Sequence, residues 1–258
     1  MSIQLRQICL VAHSLNAAIS DLQAVLGIKS CFVDRAVEKW GLENNLLCIG
    51  NNFLEVVSPT QSGTTAGRFL QRRGGDGGYM VICQADNHDN QLAVKERAIE
   101  AGVRIAWERK NTHYHLMQLH PADMQAAFLE VDWDKHNDFD GNWEPAGGSG
   151  WVKHISQFRC LGFCGVELQC NNPEQITNKW AKVLGIKPEA YEIELNNALL
   201  RFVPVRDERG PGICGIDVVV RNKDAVFAAA KKRELVYTSV YVEICGVRFY
   251  PKIASTTP

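Results

Sequence analysis

One element order, a strand, a helix and then three strands, recurs four times along the chain, and this repetition limits the fold more than any other feature. In the first copy residues 4–12 read as a buried strand. Leu15, Ala18, Ile19, Leu22 and Leu26 follow at helical spacing, and Gly27 stops the helix. Strand-like segments come next around 31–37, 44–49 and 52–57, parted by turn residues such as Gly50-Asn51-Asn52, and Pro59 closes the unit. The second copy has a strand at 80–83, a helix at 90–101 ended by Gly102, and strands at 103–109, 113–119 and 126–133. The third runs from Phe163 through the stripe Ile176, Trp180, Val183 and Leu184 to a strand at 199–205. The fourth has strands at 216–220 and 247–250 around a helix at 225–232. Copies one and three also share text: Val25-Leu26-Gly27-Ile28-Lys29 returns as Val183-Leu184-Gly185-Ile186-Lys187, and Asn51-Asn52 as Asn196-Asn197.

Four such units in 258 residues make two domains of ordinary size, expected at 1–134 and 151–258. The segment 135–150 between them is polar, rich in Gly and Asp and without apolar period, so it reads as a linker. The fold class expected is α+β. Lys plus Arg total 28 against 29 Asp plus Glu. That balance lacks the positive field on which nucleic-acid and anionic-membrane binding depend. No apolar run approaches the roughly 20 residues that span a bilayer, and the first residues lack a signal-peptide pattern. The nine cysteines are odd in number with no Cys-x-x-Cys pair, which fits reduced thiols and a cytoplasmic location.

Two carboxylates stand inside apolar strands: Glu55 in Phe53-Leu-Glu-Val-Val and Glu130 in Phe128-Leu-Glu-Val. A buried carboxylate needs a metal, a base or its own proton; otherwise it is a solvated or ion-paired residue of the inner face. Alternation places Glu130 on one face with Phe128 and Asp132. Thr112-His113-Tyr114-His115 sets two histidines on one face of a strand, a spacing that suits metal ligation or general-base work as well as ordinary strand packing. The glycines of 67–78 neither follow a strand nor open a helix, so they form no phosphate loop, and no Gly-x-Ser-x-Gly nucleophile motif is present.

The text Val11-Ala12-His13-Ser14-Leu15, leading to Val25-Leu26-Gly27-Ile28 and then to Phe53-Leu54-Glu55-Val56-Val57-Ser58-Pro59, resembles the vicinal oxygen chelate superfamily, also called the glyoxalase fold. The segment 69–75 before the strand at 80–83 resembles the inter-module link of its epimerase-like members. The resemblance covers nearly the whole chain and implies four βαβββ modules paired into two cups. It implies a small-molecule ligand and leaves a homodimer open.

By the same resemblance, the metal-ligand positions of the N-terminal cup fall on Gln7, Glu55, Met80 and Glu130, with Met where relatives carry His. Gln7, Glu55 and Glu130 would hold one divalent ion. Glu130 or His115 would move a proton alpha to a carbonyl, and Met80, His113 and Phe128 would line the ligand. The expected function is a glyoxalase-like protein acting on a small oxygenated organic molecule, as a divalent-metal-assisted lyase or isomerase. The alternative is a metal-free binding protein of the bleomycin-resistance type, because a thioether is a poor ligand for hard divalent ions. In the C-terminal cup the corresponding positions are Gly165, Gly215, Arg201 and Arg248, a set without metal-binding donors.

Overall fold

The computed structural model describes residues 2–254. The first module consists of β1 (Ile3–Val11), α1 (Leu15–Leu26), β2 (Lys29–Phe32), β3 (Leu42–Ile49) and β4 (Asn52–Pro59). Helix α2 (Thr65–Arg73) links it to the second, β5 (Gly77–Ala85), α3 (His88–Glu100), β6 (Ile105–Lys110), β7 (Tyr114–Leu119), the single turn α4 (Pro121–Met124) and β8 (Phe128–Asp134). The segment expected as one strand at 31–37 divides instead. Its strand ends at Phe32, and Arg35–Trp40 form a 3-10 turn, since the Asp34 side chain accepts from the Ala36 N–H and Gly41 closes the turn at φ +70°.

The eight N-terminal strands lie in the order β2-β3-β4-β1-β5-β8-β7-β6. The central strands β1 and β5 are antiparallel, while each runs parallel to the last strand of its own module. The C-terminal half adds β9 (Cys160–Cys170), α5 (Pro173–Leu184), β10 (Glu192–Glu194), β11 (Leu199–Pro204), β12 (Gly212–Val220), α6 (Lys223–Lys232), β13 (Val242–Ile244) and β14 (Val247–Ile253). Its order is β10-β11-β9-β12-β14-β13, so each C-terminal module has two strands after its helix where three were expected. In those stretches the chain forms only isolated bridges, Glu189–Glu192 and Tyr237–Val242. The two sheets meet where β5 pairs with β12 at Gly78–Ile213. A Cβ at Gly78 would stand 2.4 Å from that of Ile213, so only glycine allows the approach.

The larger apolar core lies on the helix-bearing face and runs through both halves, with α1 packed on α6 and α3 on α5. The repeated Val-Leu-Gly-Ile-Lys text explains part of this docking. Gly27 and Gly185 end α1 and α5 at φ near +70°, leaving last-turn carbonyls without helical partners. Arg159 donates to the carbonyls of Ala24 and Val25, and Arg97 donates to those of Val183 and Leu184. Each half thus supplies the arginine that caps a helix of the other.

A second apolar cluster fills the concave face of the N-terminal sheet. It corrects the reading of 135–150 as a plain linker. That stretch forms a 3-10 turn at Glu144–Ala146, and a second follows at Gly150–His154. Trp143 and Trp151 are both fully buried against Cys9, Cys48, Phe53 and Ile82. Burying such a side chain contributes on the order of 2–3 kcal/mol, enough to hold a segment with few other apolar residues. No helix of the described residues is long and apolar enough to cross a membrane.

Candidate functional site: the N-terminal cup

Register orders the side chains of the concave face in rows. One row carries Glu55, Cys9, Met80 and Phe128, from β4, β1, β5 and β8. The next carries Phe53, Gln7, Ile82, Glu130 and Gln118, the last from β7. Beyond it lie Gln4, Gln84 and Asp132, with Arg6 projecting at a bulge between Leu5 and Gln7. Of the residues singled out in the sequence, Gln7, Glu55, Met80, Phe128 and Glu130 therefore share this face.

Glu55 is held by amides. The Gln7 Nε2 donates to its Oε2 at 2.9 Å and the Asn44 Nδ2 to its Oε1 at 2.6 Å. Burial still pushes its pKa up, because these neutral donors offset only part of the lost hydration. Glu130 is 6% exposed and sits beside fully buried Asp132. Burial raises the Glu130 carboxyl to about 7, although the polar Asp132 and Gln118 side chains beside it favour its charged form. Asp132 is raised further by burial and by the Glu130 charge, although the Met117 N–H donates to its Oδ1 at 3.1 Å. The two acids lie two residues apart on one face of β8, and burial raises both carboxyls.

Two of the residues expected to hold a divalent ion, Gln7 and Glu55, are hydrogen-bonded to each other and to Trp143 and Asn44. An indole N–H only donates and a carboxylate only accepts, so the Gln7 amide has one orientation. Its nitrogen faces Glu55 and its oxygen accepts from the Trp143 Nε1 at 3.3 Å. Both Glu55 oxygens already accept amide hydrogens, and Met80 offers a thioether. Among the described residues no group of three His, Cys, Asp or Glu side chains is arranged for a metal.

The two histidines stand elsewhere. His113 is exposed in the turn before β7. His115 is buried, but with Met117 and Leu119 it points to the helix-bearing face, opposite Gln118 and Glu130. There its Nδ1 meets the His88 Nε2 at 3.2 Å and its Nε2 meets Glu108, which Lys95 also binds at 2.6 Å. His88 stacks on Trp133, and burial holds the His115 imidazole below its ordinary value. Strand alternation from the correct residue decides the matter, since Glu130 pairs with Gln118, and Gln118 and His115 differ in parity. His115 and Glu130 therefore share no cavity, and neither histidine touches the cup.

The two ends of the cup differ. At the far end, side chains grip the backbone of 138–141: Gln4 donates to the Phe139 carbonyl, Gln84 to that of Asp138 and Arg6 to that of Gly141. Arg6 is fully buried, boxed by Phe53, Trp143 and Trp151 with its guanidinium carbon 5.5–5.7 Å from their ring centres. Burial pushes it down to about 10 against the pull of Asp140, Asp134 and Asp138. At the near end Phe69, Tyr79 and Phe128 pack ring on ring and line an open cleft of about 720 Å³. Phe128 precedes Glu130 on the same face, about 7 Å away along β8.

The C-terminal cup is solved differently. Its carboxylates, Glu167 on β9 and Asp217 on β12, are ion-paired. Arg201 binds Asp217 and approaches Glu167 at 3.9 Å, Arg206 reaches Glu167 at 3.1 Å, and Lys252 stands 3.9 Å from Asp217. Arg248 lies over Tyr241. A Cβ at Gly165 would strike the Asp217 carboxylate at 2.7 Å, and one at Gly215 the Tyr250 ring at 2.5 Å. Glycine is needed at these positions because other side chains already fill them.

Sequence reasoning missed Asn44, Gln118, Arg6 and the linker tryptophans. Two tryptophans within nine residues of a polar, glycine-rich stretch were the available signal for the last. The amides carried none, since Asn44 and Asn45 are adjacent and only register chooses between them.

With the geometry in hand, comparison with known proteins is informative about the fold. A methylmalonyl-CoA epimerase in complex with methylmalonyl-CoA is 19% identical, covering 54% of this chain and 99% of its own at a TM-score of 0.45. The methylmalonyl-CoA epimerase of Mycobacterium tuberculosis is 20% identical over 50% of this chain and 87% of its own, TM-score 0.43. A triple mutant of 4-hydroxymandelate synthase from Streptomyces coelicolor is 10% identical but covers 91% of this chain and 76% of its own at a TM-score of 0.68. It shares the two-domain vicinal oxygen chelate architecture. No curated protein matches. Residues 8–184 match the family model described as Glyoxalase-like domain, and the chain belongs to that family.

Proposed function

We propose that this glyoxalase-like protein binds a small oxygenated organic molecule at the N-terminal cup and moves a proton on it with Glu130, without help from a divalent metal. The observation that carries the reading is the placement of Glu130 and Asp132, two buried acids two residues apart on one face of β8, one side-chain step from the aromatic wall of the cleft. A base with a pKa about 7 is matched to proton transfer near neutral pH. The ligand enters along Phe69, Tyr79 and Phe128. The Glu130 carboxylate takes the proton alpha to a carbonyl and returns it to the same or a neighbouring carbon, an isomerase-type step. Asp132 keeps its own proton throughout and orients Glu130 together with Gln118. Within this reading the N-terminal unit is 1–134 and the C-terminal unit 151–258. The segment 135–150 belongs functionally to the N-terminal cup, and the nine thiols suit the cytoplasm.

A second reading, a metal-free binding protein, is favoured by one observation: linker tryptophans already fill the far end of the cup. Deuterium exchange separates the two. The protein is incubated in D2O with 2-oxo acids, branched acyl thioesters and aryl ketones, and binding and deuterium at the alpha carbon are measured. The proposal expects exchange with the wild type, and retained binding without exchange in Glu130→Gln. Compounds that bind with no exchange in either protein would leave the binding reading standing.

A further inference from the structure

The cleft at the near end of the cup is bounded on one side by Phe69, Tyr79 and Phe128 and on the others by Arg72, Arg73, Arg209 and His120. Among the described residues that line it there is no Asp or Glu. Two of the arginines are fixed. Arg73 is buried, and its Nη1 donates to the carbonyls of Arg209, Gly210 and Pro211 at 2.8–3.1 Å. Arg209 donates to the carbonyls of Arg73, Asp76 and Gly246. Among the described residues neither has a carboxylate within ion-pair distance, and Asp207, the acid whose charge acts on Arg73, is bound by Gln169 at 2.7 Å. Carbonyl oxygens orient a guanidinium without cancelling its charge, so the cleft keeps a positive field. Arg72, in the exposed last turn of α2, makes no side-chain hydrogen bond or ion pair among the described residues and stands open to a ligand.

We infer that this cleft selects an anionic ligand, with an apolar or aromatic body against Phe69, Tyr79 and Phe128 and a carboxylate or phosphate group bound by Arg72. The inference rests on the reading that ligands reach the cup through this cleft, but it does not depend on Glu130 moving a proton. The body supplies buried area and the guanidinium supplies a planar, charge-assisted contact. An uncharged analogue with the same body loses the second contact.

Three probes share one body: 2-naphthoate, 2-naphthyl phosphate and the neutral 2-naphthylmethanol. Their dissociation constants are measured by calorimetry on the full chain at low and high salt. The anions are expected to bind about tenfold more tightly than the alcohol, with the gap narrowing as salt rises. Arg72→Gln, a change on the surface, should weaken the anions by about five- to tenfold and leave the alcohol unchanged. Tighter binding of the carboxylate or of the phosphate identifies which anion the cleft takes. Equal binding of all three probes, no binding of any, or an equal loss for anion and alcohol in Arg72→Gln would overturn the inference. Glu130→Gln should leave naphthoate binding intact, so a failed proton-transfer reading is distinguishable from a failed cleft.

Discussion

The two cups of this chain carry the same problem on the same scaffold and answer it with different chemistry. In both, carboxylates project from central strands into a buried concave face. The C-terminal cup neutralises Glu167 and Asp217 with arginine and lysine, and two glycines clear the space those partners occupy. Among the described residues the N-terminal cup has no cation at ion-pair distance from Glu55, Glu130 or Asp132; amides bind Glu55, and burial raises the other two carboxyls. Ion-paired carboxylates have little chemistry left to offer, whereas a carboxylate poised between its two protonation states can exchange a proton. That contrast locates the working end of the molecule by what is left unneutralised.

The linker gives the largest test of the contrast. If 135–151 is part of the N-terminal cup, Trp143→Ala should destabilise the protein by about 3–5 kcal/mol in urea unfolding, as loss of a buried tryptophan does. A cost under about 1 kcal/mol would return the segment to the status of a tether. In the C-terminal cup, Arg201→Met strands Asp217 and should cost about 2 kcal/mol, less than a fully buried pair because Arg201 retains some exposure. Replacing both partners, Arg201→Met with Asp217→Leu, should recover most of that loss, since removing a whole pair is far cheaper than removing half of one. Failure to recover would mean the network does more than neutralise charge.

The pH dependence should separate the cups more gently. Glu130 has a folded pKa above its unfolded one, so its contribution to stability is present below about pH 4.5 and is lost as pH rises through about 7. Urea unfolding across that window should show the loss in the wild type, at about 1.4 kcal/mol per unit of displacement, and a flatter profile in Glu130→Gln. The smallest effect concerns the cup's outer edge. The rings of Trp40 and Trp107 meet edge to face at 5.6 Å, from opposite arms of the sheet, beneath the Lys39 ammonium. Lys39→Ala should cost about 0.5–1 kcal/mol in the same assay.

Much of the architecture was legible in the sequence because a repeat leaves a written trace. The Val-Leu-Gly-Ile-Lys text marks two helix ends that each need a left-handed glycine and bind an arginine from the other half. The faces of β4 and β8 were legible for the same reason, since Glu55 and Glu130 interrupt apolar strands. The histidines misled because a His-x-His spacing fixes a shared face but not which one, and only pairing of Gln118 with Glu130 decides that. The partners of the ligand-type residues were illegible at a similar level. Gln7 and Glu55 are ligand-type residues, but the Trp143 indole that binds Gln7 comes from 136 residues away, and the Asn44 amide that binds Glu55 is chosen by the register of the neighbouring strand. The missing strands of the C-terminal modules shrink to the isolated bridges Glu189–Glu192 and Tyr237–Val242, and pairing of that kind leaves no periodic trace in the sequence.

The central claim is that Glu130 stays poised near neutrality while the carboxylates of the other cup do not need to. Carbon-13 NMR of protein labelled at glutamate side-chain carboxyls, with the Glu130 signal assigned by its absence from Glu130→Gln, measures this directly. The account predicts a carboxyl resonance that titrates with a midpoint about 7. A midpoint at or below about 4.5, the ordinary range for glutamate, would contradict it.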